Sequence, residues 1–75
     1  MKLIKHLNID REFKHLETIY FKPDEMCAMF VGIKDLAVTV LLKSREFGAS
    51  AWFRTEKERD TYAASLKKEI EKAIK

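Results

Sequence analysis

A chain of 75 residues makes one domain, residues 1–75, and leaves no room for a second; at this size the buried fraction is modest and partners or staples begin to matter. The single cysteine, Cys27, excludes an internal disulfide, and no cysteine and histidine spacing matches a zinc site, so the expectation is no metal, no cofactor and a reducing compartment. The net charge of +3 is spread thinly, with nine Lys and Arg against seven Asp and Glu in residues 1–54 and six against five in 55–75, which argues for a mixed solvated surface rather than a basic tail.

Residues 2–9 read as an edge strand with Leu3, Leu7 and Ile9 on one side, although Leu3, Ile4 and Leu7 also fit one helical turn. Asp10-Arg11-Glu12 reads as a turn, with a short helix capped by Asp10 as the alternative. Phe13 to Phe21 alternates, with Phe13, Ile19 and Phe21 on one side and Leu16, Thr18 and Tyr20 on the other, and its β-branched and aromatic content favours a strand. Lys22-Pro23-Asp24-Glu25 ends it, because proline presets a turn dihedral and holds Lys22 extended.

Met26 to Ile33 and Leu36 to Leu42 are apolar on both faces, as central strands are, with a reversal at Gly32-Ile33-Lys34-Asp35 between them. The Lys43 to Gly48 turn leads to a last strand over Ala49–Arg54. From about residue 56 to 74 an amphipathic helix closes the chain: Tyr62, Leu66, Ile70 and Ile74 recur every fourth residue with Ala63 and Ala73 beside them. Thr55 followed by Glu58 is a capping-box signature, and acids crowd the first turns and lysines the last, each favoured by the helix dipole. The fold class is therefore α+β: an antiparallel meander of four or five strands packed by one C-terminal helix.

The passage Trp52-Phe53-Arg54-Thr55-Glu56-Lys57-Glu58-Arg59-Asp60-Thr61-Tyr62, with Leu66 beyond it, resembles the last strand and closing helix of pleckstrin-homology-like barrels. It covers about a third of the chain, and Tyr62 stands where those barrels usually carry tryptophan. The order of four strands and a helix is also similar in layout to small coactivator-like single-strand binding proteins, a family that dimerises. Layout alone transfers no residues.

One helix covers one face of a sheet, yet the middle strands are apolar on both. The surplus face would be built from Met26, Ala28 and Phe30 or from Cys27, Met29, Val31 and Ile33, with alternate residues of Leu36–Leu42. A curled half-barrel or a folded-back N-terminus would hide it; self-association or docking on another protein is the third solution, with Met29, Val31, Ile33 and Val40 as the candidate interface. Nothing marks an enzyme: Cys27 reads as a core thiol inside an apolar strand, no motif ties His6 or His15 to it, and the carboxylates fall mainly in turns.

Lys43, Ser44 and Arg45 at a tight turn, with Arg54 near the end of the next strand, form a candidate anion or nucleic-acid contact, to which Trp52, Tyr20 or Phe21 would offer a stacking face. The plainer alternative is a solvated turn, with Arg54 paired to Glu58 and Trp52 under the helix. The expected function is thus a non-catalytic, cytoplasmic interaction module. It would be a homo-oligomer or dock on a partner protein, with single-stranded nucleic-acid or nucleotide binding second, a small anion held between subunits third, and no membrane partner.

Overall fold

A computed structural model describes residues 3–32, 34–46 and 48–74. In chain order the elements are β1 (Ile4–Ile9), β2 (His15–Phe21), a 3-10 turn (Pro23–Glu25), β3 (Met26–Val31), β4 (Ala37–Leu42), β5 (Ala49–Trp52) and α1 (Glu56–Ile74). The α+β class matches the expectation from the sequence, but the sheet is not a meander. Its five strands run in the order β2-β1-β5-β4-β3. β3, β4 and β5 are antiparallel neighbours and β1 and β2 form a hairpin, whereas β1 meets β5 in parallel through the pair Ile9 and Ala51. Pairing of sequential neighbours therefore fails between β2 and β3, which become the two edges.

Those edges are joined only by residues 22–25, most of them in a 3-10 turn. A flat sheet of five strands at ~4.8 Å spacing holds its edges about 19 Å apart, and a link that rises ~2 Å per residue falls short of that. The sheet therefore bends around its helix-facing side so that the edges converge at this end. Along the inside of the bend lie Ile4, Ile19, Phe21, Val38, Val40, Leu42 and Ala49, which form one core with Ala63, Leu66 and Ile70 of α1.

Half of the α1 capping box forms as the sequence predicts: the Glu58 backbone N–H donates to Thr55 Oγ1 at 3.2 Å, but the Glu58 carboxylate accepts from the Thr55 hydroxyl at 3.3 Å instead of from a backbone N–H. The buried stripe of the helix starts earlier and ends sooner than expected. It runs Arg59, Ala63, Leu66, Ile70, with Tyr62 half-buried, and Ile74 is 68% exposed. Arg59 is tolerated inside because its Nη1 donates to the carbonyls of Gly32 at 2.7 Å and Asp35 at 3.4 Å, and its Nε to Asp60 at 3.0 Å. The helix thereby ties down the β3–β4 reversal. At Gly32 a side chain would place a Cβ 2.7 Å from the Asp35 carbonyl oxygen, so that turn needs glycine.

Candidate functional site

Below the Ile9–Ala51 bridge β1 and β5 separate, and side chains take over the backbone groups left free. His6 Nε2 lies 2.9 Å from the Ala49 carbonyl oxygen, His6 Nδ1 2.8 Å from the Tyr62 hydroxyl, and the Leu7 N–H donates to that same hydroxyl at 2.9 Å. A carbonyl only accepts, so Nε2 carries the proton and Nδ1 accepts from Tyr62. Burial pushes the His6 imidazole below its ordinary range, opposed by the bond to Ala49, and burial pushes the Tyr62 phenol up, opposed by the Leu7 N–H. This pair splices the sheet seam, and Tyr62 also lines two shallow depressions beside α1, one with Leu3 and Lys5 and one with Phe53 and Lys57.

The side of the sheet turned away from the helix is different in kind. Register places Lys5 and Leu7 of β1, Thr18 and Tyr20 of β2, Ala28 and Phe30 of β3, Thr39 and Leu41 of β4, and Ser50 and Trp52 of β5 there. Leu16 stands out at the irregularity where Glu17 pairs with Asn8 and His15 with Ile9. Leu16, Tyr20 and Phe30 are 57%, 60% and 55% exposed, at the two edges of this side. Leu7, Leu41 and Trp52 between them are half-buried, and Thr39 and Ser50 share a hydroxyl bond of 2.7 Å.

The interface expected from the sequence falls mostly on the other side. Val40 has no exposed surface beneath the helix, and Met29 is packed partly against the core. Val31 is 39% exposed and shares with Met29 a shallow groove between β3 and α1; Ile33 lies outside the described residues. The outward set, Ala28 and Phe30, is the one left uncovered. Cys27 is exposed rather than buried, because the register shift between Met26 and Ala28 leaves it out of the ladder. Among the described residues no three His, Cys, Asp or Glu are grouped to hold a metal, and no helix is long and apolar enough to cross a membrane.

The turn cluster is not assembled as the sequence suggested. Lys43, Ser44 and Arg45 sit in the β4–β5 turn at one end of β5, while Arg54 follows its other end. Arg45 is paired with Glu17 at 2.7 Å, and that bond, more than the one from Asn8, holds the Glu17 carboxyl below its ordinary value. Arg54 does not meet Glu58 but lies 4.7 Å over the Phe13 ring, and Trp52 is not under the helix but carries Arg11 at 4.9 Å over its ring. Three connections converge here, β1–β2, β3–β4 and β5–α1, around a depression of about 340 Å³ lined by Arg11, Phe13, Lys34, Asp35, Trp52 and Phe53, among others. Sequence reasoning missed Arg11 and Phe13 because their proximity to Trp52 follows from β1 lying beside β5; Lys34 is brought there by the β4–β5 hairpin, in which Ala37 pairs with Trp52, and no local motif marked it. No family model matches the chain, and no curated protein or solved structure gives a significant match to it.

Proposed function

We propose that this protein is a non-catalytic interaction module that pairs with a second copy of itself through the sheet side turned away from the helix. The observation that carries this reading is the exposure of Leu16, Tyr20 and Phe30 at the edges of a side where Lys5 is the one fully charged residue among the described outward-facing strand positions, with Arg11 lying over Trp52 at one end. A patch so poor in charge has little with which to select a charged partner. Apposed on its own copy it sets few like charges together, and an isologous contact makes each exposed side chain serve twice. The described residues extend 32 × 24 × 18 Å, so the broad side is of the order of the ~800 Å² per partner that a standard interface buries. Added core is also what a domain of this length gains most from.

Light scattering across a dilution series tests it. The native chain is expected to have twice the monomer mass at the concentrated end, with little change on adding salt, because the contact is apolar. Tyr20→Glu with Phe30→Glu is expected to give a monomer with unchanged helix content by circular dichroism. A native chain that stays monomeric throughout, or a double variant that still pairs, overturns the reading.

A further inference from the structure

The convergence of the β1–β2, β3–β4 and β5–α1 connections is a second surface, which shares Trp52 with the outer side of the sheet but none of the exposed apolar edge residues. We propose that it binds single-stranded nucleic acid, with Arg11, Lys34 and Arg54 meeting phosphates and Trp52 and Phe13 offering their faces to bases.

Two flat cations already lie on two flat rings: Arg11 at 4.9 Å over Trp52 and Arg54 at 4.7 Å over Phe13. A stacked guanidinium keeps its in-plane N–H groups free at the edges, where they meet a phosphate in bidentate fashion. A base is itself a flat ring, and it enters by displacing the guanidinium along the aromatic face. Three acids lie in the same region and offset part of this charge: Asp10, whose Oδ1 also accepts the Glu12 and Lys14 N–H groups at 2.9 Å each, Glu12, exposed beside Arg11, and Asp35, which lines the depression with Lys34.

Phe13 gives the independent sign. The β1–β2 turn closes with the Phe13 N–H on the Asp10 carbonyl at 3.0 Å and puts Phe13 at φ 66, the left-handed position that such hairpin loops normally give to glycine. An aromatic side chain there strains the backbone and is 41% exposed, so neither local geometry nor core packing accounts for it. A ring held out beside Trp52 makes a second stacking station. Two stations on an open surface suit a strand whose successive bases are unpaired, and not a mononucleotide, which needs an enclosing cradle, nor a duplex, whose faces are hidden.

The test titrates the protein with an oligothymidylate of ~12 nucleotides, within the span such surfaces take. Trp52 is the one tryptophan of the chain, so quenching of its fluorescence reports on this place, and anisotropy of a labelled strand gives the affinity. Expected are quenching at low salt and a fall in log affinity against log salt with slope about −2, as ~3 phosphates at ~0.7 each require. Arg11→Ala and Arg54→Ala should each weaken binding about tenfold. Arg45→Ala, at the other end of β5, should leave it unchanged. Phe13→Gly keeps the experiment clear of misfolding: it should hold or raise the melting temperature, since it relieves the left-handed strain, while weakening binding about tenfold. The proposal is overturned by absence of binding at low salt, by an equal loss in Arg45→Ala, by full binding in Phe13→Gly, or by equal affinity for ATP or for duplex. The oligomeric mass of the same samples is read separately, so failure here leaves the self-pairing reading standing or falling on its own measurement.

Discussion

On the inner side of the bend Val38, Val40 and His6 have no exposed surface, whereas on the outer side of the same strands Thr39 and Leu41 are half-buried, and Leu16, Tyr20 and Phe30 at the edges are open to water. Both sides carry large apolar residues, although the outer one adds Lys5, Thr18, Thr39 and Ser50. What separates them is the helix, whose narrow stripe of Ala63, Leu66 and Ile70 closes one side. Alternation along a strand establishes that there are two faces; it does not say which one a single helix takes.

A charge on each side breaks the comparison most sharply. Val40→Asp would put an unpaired carboxylate into the core at a cost of at least ~3–5 kcal/mol, against a total stability of roughly 4–11 kcal/mol for a domain of this length. Loss of cooperative urea unfolding is the expected result. Phe30→Asp, at 55% exposure, should stay within about 0.5–1 kcal/mol of the native monomer in the same measurement. If both variants unfold alike, the outer side is as much core as the inner.

A smaller effect tests how the inner side is closed at the seam. Tyr62→Phe keeps the ring, which packs 5.0 Å from that of Phe53, and removes only the hydroxyl. The Leu7 N–H and His6 Nδ1 then lose their partner together, at about 1–3 kcal/mol for buried polar groups left unpaired. Urea denaturation gives the loss, and faster amide exchange at Leu7 would locate it at the seam. No loss would mean that water replaces the hydroxyl and that the seam is wet.

Most of the strands and the helix were legible in the sequence because each rests on a local signal: alternation in His15–Phe21, the apolar run ending at Leu42, proline after Lys22, Thr55 with Glu58. The partner of β1 was not. Among the described residues its backbone pairing with β5 is the Ile9–Ala51 pair, and the rest of the seam is made by His6 reaching Ala49 and Tyr62 reaching Leu7, contacts separated by 43 and 55 residues. No periodicity records such a pairing. Strand direction alone brings the β1–β2 turn and the end of β5 to the same end of the sheet in either topology, but only with β1 beside β5 does Arg11 reach Trp52. The one local clue to the seam was His6 itself, a polar residue in phase with Ile4 on the side of β1 that became core.

His6 also makes the inner side sensitive to acid, by the smallest of these effects. Its folded-state pKa lies below the ordinary 6.5, so near that pH the unfolded chain holds the proton more readily than the folded one. Stability is therefore complete above about pH 6.5 and is lost as the pH falls through the interval between 6.5 and the lower folded value. The cause is burial, which disfavours the charged ring and outweighs the bond to Ala49; a proton on Nδ1 would in addition face the Tyr62 O–H now donated to it. Glu17, held down by Arg45, brings a second loss only below its ordinary 4.5, which keeps the two windows apart. Melting temperatures should hold steady from pH 8 to about 7 and decline from about 6.5 toward 5. His6→Gln should flatten that decline; a decline that survives the substitution unchanged would place the sensitivity outside the seam.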